Sequence, residues 1–327
     1  MTTPQHGIGS GFGAWSTAEE VLEGTDLTGR LAVVTGGYSG IGLETTRALV
    51  RAGARVVVPA RRRETAQRAV DGIGGAEVEE VDLADLGSVR AFAERFLASG
   101  RGIDLMVNSA GIMACPETRV GPGWEAQFAV NHLGHFALVN RLWPALARDG
   151  GARVVSVSSQ AHHASAIRWE DPHFQRGDYE KWTAYGQSKT ANVLFAVRLD
   201  MLGREAGVRA FAVHPGVIDT PLARHVPDEE MAALGFIKED GTRADFYRTP
   251  GQGAATQVWA ATSPRLAGAG GVYCEDCDVA PLAREDGGDP GTAGGVRAYA
   301  TDPEQAARLW ELSAELTGVD AFAATAA

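Results

Sequence analysis

Short apolar runs alternate with helical patterns over most of the chain. Seven runs rich in valine, leucine and alanine have the length and flanks of β-strands. They are Leu31 to Thr35, Arg55 to Val58, Glu77 to Val81, Leu105 to Asn108, Arg153 to Ser158, Val208 to His214 and Gly271 to Tyr273. Helices are predicted near Gly42 to Arg51, Glu64 to Gly72, Ser88 to Ser99, Trp124 to Ala147, Ala184 to Ala206, Gln252 to Ala261 and Pro303 to Leu316. This alternation predicts an α/β fold with a single doubly wound, seven-stranded parallel sheet and helices on both faces.

The composition of the 327 residues suits one large domain or two small ones, because 45% of them are apolar and 22% are charged. A net charge of −11 argues against a nucleic-acid or anionic-membrane surface. The chain has no stretch of about 18 apolar residues, and residues 1–13 lack the basic start and apolar middle of a signal peptide. We therefore expect no nucleic-acid partner, no membrane span and a cytoplasmic location.

Few residues suggest a metal or disulfide site. The three cysteines do not form the even-numbered framework of a small secreted protein. Cys274 and Cys277 have the spacing of a redox or zinc pair, but no second pair accompanies them, so a structural role is predicted. His132 and His135 lie at i and i+3 of a predicted helix without a third ligand at a helical spacing. The sequence therefore predicts no metal site.

A glycine-rich segment joins the first predicted strand to the first helix. It reads Thr35-Gly36-Gly37-Tyr38-Ser39-Gly40-Ile41-Gly42. Glycines at a strand-to-helix turn let backbone amides and the positive end of the helix approach a pyrophosphate. The sequence therefore predicts a dinucleotide site here. The residues assigned to it are Gly36, Tyr38, Ser39, Gly40, Ile41 and Gly42.

Tyr185 and Lys189 are four residues apart in a predicted helix, so their side chains share one helical face. An ammonium beside a phenol favours the phenolate and lowers the phenol's pKa from its usual value of about 10. We expect Tyr185 to act as an acid or base near neutral pH. The alternative is a core tyrosine with its hydroxyl at the rim.

Together these motifs resemble the short-chain dehydrogenase/reductase family over roughly residues 29–275. The family's pattern continues in order with Asp82-Leu83, Asn108-Ser109-Ala110-Gly111, Asn131, Ser158-Ser159, Tyr185-x-x-x-Lys189, Pro215-Gly216 and Thr220. The segments from Val130 to Phe136 and from Ala184 to Asn192 are similar to the branch of retinol dehydrogenases and light-dependent protochlorophyllide reductases. The resemblance implies a Rossmann-like fold and an NAD(P)-dependent oxidoreductase.

Catalytic roles follow from this resemblance and from the charge that hydride addition builds on a carbonyl oxygen. Tyr185 would donate the proton, or accept it in the oxidative direction, and Lys189 would bind the nicotinamide ribose. Ser159 would hold the substrate oxygen, with Ser158 as the alternative. Asn131 would fix a water that links Lys189 to solvent, or would merely satisfy the backbone of a kinked helix.

The second strand ends in Pro59-Ala60-Arg61-Arg62-Arg63, without the carboxylate that would bind the ribose hydroxyls of NAD. Arginines at the amino end of a helix oppose its dipole unless an anion compensates. We therefore predict NADP, with NAD less favoured, and assign its phosphate to Arg61 first and Arg62 second. The alternative is a solvated basic turn. Tyr38 is an observation against NADP, because many NADP-using relatives carry a basic residue at this position.

Further coenzyme contacts are implied by the resemblance alone. Asp82 and Leu83 would bind the adenine, and the backbone near the adenine ribose would come from Asn108, Ala110 and Gly111. The nicotinamide would be framed by Pro215, Gly216, Val217 and Thr220.

Two long connections are predicted to form substrate walls, because loops at the carboxyl ends of strands build the sites of open α/β sheets. They are residues 160–182 and 217–250. Ser159 and Tyr185 are 26 residues apart, a wider gap than is usual in the family but consistent with the retinol-dehydrogenase-like branch. The aromatic residues in 160–182 suggest a wall for a bulky substrate, and surface packing is the alternative. Other candidate wall residues are Met113, Ala114, Cys115, Ala161, His162, Val217, Leu222 and those near Phe236.

We predict an NADP(H)-dependent carbonyl reductase or alcohol dehydrogenase that acts on a bulky hydrophobic small molecule. A reductase of a conjugated C=C bond and a non-catalytic NADP-sensing protein are the alternatives. The predicted parts are an N-terminal extension (1–28), a dinucleotide-binding catalytic domain (29–275) and a C-terminal loop and helix (276–327). Relatives pair through helices near 124–147 and 184–206, which implies a homodimer or homotetramer unless the terminal helix covers that surface.

Overall fold

Eight strands form the central sheet of the computed structural model, which describes residues 3–284 and 294–323. The strands in chain order are β1 (Leu31–Thr35), β2 (Arg55–Ala60), β3 (Ala76–Glu80), β4 (Leu105–Asn108), β5 (Arg119–Val120), β6 (Trp124–Glu125), β7 (Arg153–Val157), β8 (Arg209–His214), β9 (Val217–Ile218), β10 (Tyr247–Arg248), β11 (Val272–Glu275) and β12 (Asp278–Val279). The order across the sheet is β12-β11-β8-β7-β4-β1-β2-β3, and the remaining four strands form two small pairs.

Helices connect these strands. They are α1 (Ala18–Val21), α2 (Gly40–Arg51), α3 (Arg63–Val70), α4 (Leu86–Ala98), α5 (Ala126–Phe128), α6 (Gly134–Arg141), α7 (Trp143–Leu146), α8 (Lys181–Gly203), α9 (Asp228–Ala233), α10 (Pro250–Thr262), α11 (Ala298–Thr301) and α12 (Pro303–Thr317). Short 3₁₀ turns lie at Gln160–Ala164, Arg204–Ala206, Pro221–Ala223 and Pro264–Leu266. No helix within the described residues is long and apolar enough to cross a membrane.

The predicted seven parallel strands are confirmed, and their apolar residues alternate between the two faces of the sheet. Leu31 and Val33 of β1 pack with α4, α6 and α8, whereas Ala32 and Val34 pack with α2, α3 and α10. A parallel strand buried on both faces needs no polar side, which explains the nearly continuous apolar runs in the sequence. The order of the strands reverses between β1 and β4, and open α/β sheets bind ligands at such a reversal.

An eighth, antiparallel strand was missed by the sequence analysis. Strand β12 pairs with β11 through a two-residue turn at Asp276 and Cys277, whose φ angles are 51° and 58°. Such a turn usually carries asparagine and glycine, so these residues gave no turn signal. The turn also explains the spacing of Cys274 and Cys277, which are buried free thiols in the core.

The single helix predicted over 124–147 was wrong. The segment contains β6, α5, a π-helical turn at Ala129–Leu133, α6 and α7. Gly134 follows the π turn, and a Cβ there would overlap the carbonyl oxygen of Leu83. The glycine therefore permits the close packing of α6 against the loop after β3. The other predicted helices are found within a few residues of their expected ends.

The terminal helix α12 lies on α8 and on the π turn. Trp310 stacks on Phe195 with ring centroids 5.8 Å apart and contacts Phe136 edge-on at 4.8 Å. Ser313 hydrogen-bonds the buried Nε2 of His132 at 2.7 Å. At the other end of the chain, Gln5 bonds the backbone of Tyr273 and Ala280. The predicted division into three parts stays a prediction.

Candidate active site

The carboxyl ends of β1, β4, β7 and β8 meet at one edge of the sheet. The glycine-rich segment follows β1, and Ser109 to Gly111 follow β4. Ser158 and Ser159 follow β7, and Pro215 and Gly216 follow β8. The fold therefore brings together four of the motifs that are widely separated in the sequence.

The glycine-rich turn is shaped by close backbone contacts. Gly36 has a φ of 67°, and a Cβ there would lie 2.9 Å from the Cα of Ala110. A Cβ at Gly42 would overlap the carbonyl oxygen of Gly36. Ser39 precedes α2 without a side-chain cap, and the first turn of α2 carries no acidic residue. The start of α2 is therefore a positive, uncapped helix end suited to an anion.

Thr35 joins the glycine-rich turn to the end of β4. Its hydroxyl oxygen accepts hydrogen bonds from the backbone nitrogens of Ser109 and Ala110 at 3.0 and 3.1 Å. It also lies 2.8 Å from Nε2 of His135. Burial lowers the pKa of His135 to about 4 and that of His132 to about 3, so both rings are neutral at neutral pH. Each of these histidines thus has a hydrogen-bonding role within the core.

Tyr185 and Lys189 lie on the buried helix α8, where their exposed fractions are 4% and 5%. The Lys189 ammonium is 5.4 Å from the centroid of the Tyr185 ring and donates a hydrogen bond to the carbonyl oxygen of Val157 at 3.0 Å. The Ser159 hydroxyl hydrogen-bonds the Tyr185 phenol. These three predicted residues therefore form one cluster, in which Tyr185 and Lys189 are buried and Ser159 is half-buried.

The two adjacent serines have different partners. The Ser158 hydroxyl is buried and donates to the carbonyl oxygen of Lys189 at 2.8 Å. The Ser159 side chain accepts from the backbone nitrogen of Ala161 at 3.1 Å and meets Tyr185. Side chains of neighbouring residues at a strand end point to opposite sides. The geometry favours Ser159 as the hydroxyl beside the phenol.

The expectation that Lys189 lowers the pKa of Tyr185 was wrong for the protein by itself. Burial raises the pKa of the Tyr185 phenol well above its usual value, and the hydrogen bond from Ser159 offsets this only in part. Burial also lowers the pKa of Lys189 to about 8. Removing a phenolate from water outweighs attraction to an ammonium that lies over the ring face. At neutral pH the phenol therefore keeps its proton.

Asn131 lies in the π turn, and its side chain is fully buried. Its Oδ1 accepts from the nitrogen of Ile112, and its Nδ2 donates to the oxygen of Ile112 and to the hydroxyl of Ser188, each at 2.9 Å. A Cβ at Gly111 would lie 3.1 Å from Oδ1 of Asn131 and 3.7 Å from Nζ of Lys189. Asn131 is thus close to Lys189, but its amide is occupied by Ile112 and Ser188.

The predicted coenzyme residues lie along the same edge. Asp82 is half-buried and accepts from the backbone nitrogen of Ala84, while Leu83 is buried. Arg61, Arg62 and Arg63 are exposed where β2 meets α3, and none of them belongs to an ion pair within the described part of the chain.

The remaining predicted contacts surround the glycine-rich turn. Tyr38 is half-buried and packs on the core beside Ile41. Asn108 is buried and donates to the Ser156 hydroxyl at 3.2 Å, which leaves its Oδ1 without a partner. The methyl group of Thr220 would lie 3.3 Å from a Cβ at Gly40, so the two motifs are adjacent. Pro215 is buried, and Val217 pairs with Tyr247 through β9 and β10.

Arg248 was missed by the sequence analysis. Its guanidinium lies against Gly216, where a Cβ would come within 2.7 Å of it, and it forms an ion pair with Asp276 at 2.6 Å. The side chain is only 13% exposed. It ties the segment 217–250 to the hairpin of β11 and β12. No sequence signal pointed to it, because its two partners are distant in the chain.

Most aromatic residues of the connection 160–182 pack into the fold. His162, His173 and Phe174 are buried, and Trp169 donates to Gln305 of α12 at 2.9 Å. Tyr179 bonds the buried carboxylate of Glu125 at 3.2 Å, and burial raises the pKa of that carboxyl. Surface and core packing therefore accounts for these side chains, in agreement with the alternative to a substrate wall.

Trp182 differs from the other aromatic residues of this connection, because it faces Tyr185 edge-on with ring centroids 6.4 Å apart. Its indole nitrogen donates to Glu230 of α9 at 2.6 Å, and Lys181 donates to the same carboxylate at 2.5 Å. Trp182 also belongs to a small apolar cluster. Its members are Ala114, Val226, Met231, Met113, Trp182, Phe236, Ile237 and Tyr247.

The described residues fit a dinucleotide. The glycines allow a close approach of backbone segments at the turn, where a Cβ would overlap neighbouring atoms, and the helix end beside them is positive and uncapped. Exposed arginines, which form no ion pair with another described residue, stand at the end of the neighbouring strand. The site lies at the reversal of strand order, where this class of sheet binds nucleotides.

Comparison with known proteins agrees with this geometry. The short chain dehydrogenase family profile matches residues 30–231. A probable oxidoreductase of Streptomyces lividans is 47% identical over 299 residues, which are 89% of this chain and 98% of the relative. Retinol dehydrogenase 12 of Bos taurus is 36% identical over 304 residues, which are 90% and 88% of the two chains. The RhlG/NADP active-site complex of Pseudomonas aeruginosa has a TM-score of 0.58 at 26% identity and covers 76% of this chain and 95% of its own.

The chain therefore belongs to the short-chain dehydrogenase/reductase family, in a branch resembling the retinol dehydrogenases. It is an NAD(P)-dependent oxidoreductase.

Burial of Lys189 leads to a pH prediction for the protein without ligands. Its pKa is about 8 in the folded protein and 10.5 for an unburied lysine, so the unfolded chain binds more protons between those pH values. Stability that depends on Lys189 should therefore rise with pH in this window. Relative to Lys189→Met, wild type should gain about 1 kcal/mol of unfolding free energy between pH 8 and 9, measured by urea denaturation.

Lys238→Met provides the control. Lys238 is exposed, and its hydrogen bond to Asp245 raises its pKa, so no gain relative to this variant is expected from pH 8 to 9. A constant difference between wild type and Lys189→Met over this range would contradict the prediction.

Proposed function

We propose that this protein is an NADPH-dependent carbonyl reductase for bulky hydrophobic ketones or aldehydes. The observation that carries the proposal is the contact between the half-buried Ser159 and the buried Tyr185 phenol, with Lys189 over the face of the phenol. Carbonyl reduction needs a hydrogen-bond donor for a developing oxyanion and an acid to neutralise it. Two adjacent hydroxyls, one of them backed by an ammonium, meet both requirements.

The residues act on the substrate oxygen in a defined order. When bound, the nicotinamide coenzyme supplies a hydride to the carbonyl carbon. The Ser159 hydroxyl donates a hydrogen bond to the oxygen as negative charge builds on it. Tyr185 then transfers its proton to that oxygen to give the alcohol, and the Lys189 ammonium stabilises the resulting phenolate. A phenol that keeps its proton at neutral pH supports the reductive direction.

Backbone groups of Gly36, Ser39, Gly40, Ile41 and Gly42 would hold the pyrophosphate. Arg61 and Arg62 would bind the 2′-phosphate, because they are exposed cations with no ion pair to any described carboxylate, and a phosphate is their natural ligand. The NADP complex named for RhlG supports this choice. The other coenzyme contacts are assigned to Tyr38, Asp82, Leu83, Asn108, Ala110, Gly111, Pro215, Gly216, Val217 and Thr220, and Asn131 would support Lys189.

The apolar cluster beside Tyr185 supports a hydrophobic substrate. Met113, Trp182 and Phe236 are half-buried apolar side chains of this cluster, and Trp182 contacts the ring of Tyr185. The contact of Glu230 with Trp182 and Lys181 holds α9 against the start of α8. We therefore assign specificity to the segment 217–250 and to Trp182, rather than to the whole connection 160–182.

We propose a monomer rather than the homodimer or homotetramer implied by relatives. The helix α12 packs on α8 and on the π turn through Trp310, Leu309 and Ser313, so pairing of two chains through this surface would have to displace it.

The first test compares Tyr185→Phe, Ser159→Ala and Ser158→Ala with wild type on a panel of carbonyls. Tyr185→Phe should lose about 10³-fold and Ser159→Ala about 10²-fold in kcat, because each removes a group that acts on the substrate oxygen. Ser158→Ala should stay within about 3-fold, because its partner is a helix carbonyl.

NADPH binding, measured by fluorescence, should be retained in Tyr185→Phe. Full activity of that variant would refute the mechanism. Analysis of the products formed from conjugated enones identifies which bond is reduced. Selective reduction of the C=C bond would favour the alternative, a reductase of conjugated C=C bonds.

Arg61→Ala tests the coenzyme assignment. Loss of a charge-assisted hydrogen bond of about 1.5–3 kcal/mol should raise KM for NADPH about 10- to 100-fold. KM for NADH should change little. Arg68→Ala is the matched control, because Arg68 is an exposed arginine in the last turn of α3, the helix that follows Arg61. Equal effects on the two coenzymes would remove Arg61 from the phosphate site.

Glu230→Ala tests the substrate wall. Releasing Trp182 and Lys181 should lower kcat/KM for bulky carbonyls about 5- to 10-fold and leave small aldehydes nearly unchanged, because only a bulky group reaches the wall. Glu229→Ala changes the exposed neighbour on the same helix and should have no effect. A uniform loss across substrates would argue against a role in specificity.

A further inference from the structure

His162 lies three residues after Ser159, in the 3₁₀ turn Gln160–Ala164. Its side chain is fully buried. Its Nδ1 lies 2.7 Å from the carbonyl oxygen of Ser159, and its backbone nitrogen donates to the same oxygen at 3.1 Å. One residue therefore holds the Ser159 carbonyl from two directions.

The partners of the His162 ring fix its tautomer. The carbonyl oxygen of Ser159 can only accept, so Nδ1 carries the hydrogen. The backbone nitrogen of Arg297 donates to Nε2 at 3.1 Å, so Nε2 carries the lone pair. A doubly protonated ring would leave the Arg297 N–H facing another donor. Burial accordingly lowers the pKa of His162 to about 3.

The backbone of His162 is anchored as firmly as its ring. Its carbonyl oxygen accepts from the hydroxyl of Tyr299 at 2.6 Å and from that of Thr190 at 3.2 Å. Thr190 follows Lys189 on α8, and Tyr299 belongs to the C-terminal helix α11. His162 thus joins the turn after β7 to the helix that carries Tyr185 and to the C-terminal segment.

We propose that His162 is a positioning residue, which holds the backbone of Ser159 so that its hydroxyl faces the substrate oxygen beside Tyr185. This rests on the proposed carbonyl reduction. The Ser159 hydroxyl is the group that meets the developing charge, and a misplacement of about 1 Å can cost about 10²-fold in rate. The ring of His162 provides a side-chain link between that turn and the C-terminal segment.

A reciprocal pair of variants separates positioning from simple packing. In His162→Asn the amide nitrogen can replace Nδ1 and still donate to Ser159, while the acceptor for Arg297 is lost. In His162→Gln the longer amide can replace Nε2 and still accept from Arg297, while the donor to Ser159 is lost. Each variant loses one hydrogen bond and keeps a polar side chain.

We expect kcat for carbonyl reduction to fall about 10-fold or more in His162→Gln and to stay within about 3-fold of wild type in His162→Asn. KM for NADPH should change less than about 2-fold in both, because the ring nitrogens bond the backbone of Ser159 and Arg297, which are not among the assigned coenzyme contacts. Equal losses in the two variants, a greater loss in His162→Asn, or full activity in both would overturn the proposal.

His163→Ala is the matched control. His163 lies in the same turn, and its Nε2 lies 2.9 Å from the carbonyl oxygen of Gly295, so it contacts the C-terminal segment without contacting Ser159. Its kcat should remain within about 2-fold of wild type. A loss equal to that of His162→Gln would assign the effect to the C-terminal segment and overturn the proposal.

Two structural measurements decide the inference independently of turnover. Nitrogen NMR of wild-type His162 should find the proton on Nδ1 near neutral pH, and the opposite tautomer would overturn the inference even if neither variant folds. Crystal structures should find the Ser159 hydroxyl displaced in His162→Gln but not in His162→Asn. If wild type reduces no carbonyl, the proposed function fails, and these two measurements still test the role of His162.

Discussion

Hydrogen bonds between helix α8 and the end of strand β7 hold the candidate site together. The carbonyl oxygen of Val157 accepts from Lys189 at 3.0 Å and from Asn192 at 2.9 Å, and Ser158 donates back to the carbonyl of Lys189. All of these groups are buried, so any slip of α8 along β7 would leave polar atoms unsatisfied. The positions of Ser159, which follows the strand, and of Tyr185, which lies one turn earlier on the helix, follow from this constraint.

The same burial sets the chemistry of the site. It lowers the pKa of Lys189 to about 8 and raises that of Tyr185, so the ammonium is destabilised and the phenol stays protonated. Neutral histidines at positions 132, 135 and 162 serve as hydrogen-bonding groups within the surrounding core. A dry environment strengthens each remaining interaction with charge that develops on a substrate oxygen. Burial that costs stability therefore also favours the proposed chemistry.

Segments distant in the chain close the site from several sides. The C-terminal helix α12 covers α8, and residues 295–299 hold the turn after Ser159 through His162 and His163. The segment 217–250 is held by Arg248 at one end and by Glu230 near its middle. The residues proposed for catalysis lie just after β7 and on α8, whereas the residues proposed for specificity lie mainly on this segment. This division agrees with a fold whose loops vary while its strand ends keep the chemistry.

The sequence by itself determined the sheet, the glycine-rich turn and the Tyr185 and Lys189 pair. These depend on local rules, since strands buried on both faces are apolar throughout and residues four apart share a helical face. It did not reveal strand β12 or the π turn at Asn131, because a two-residue strand and a single wide helical turn have no periodicity to read. Only the tertiary structure decided which serine meets the phenol, the direction of the phenol pKa shift and the contacts of Arg248 and His162. Each depends on atoms that are far apart in the chain and on how completely folding removes them from water.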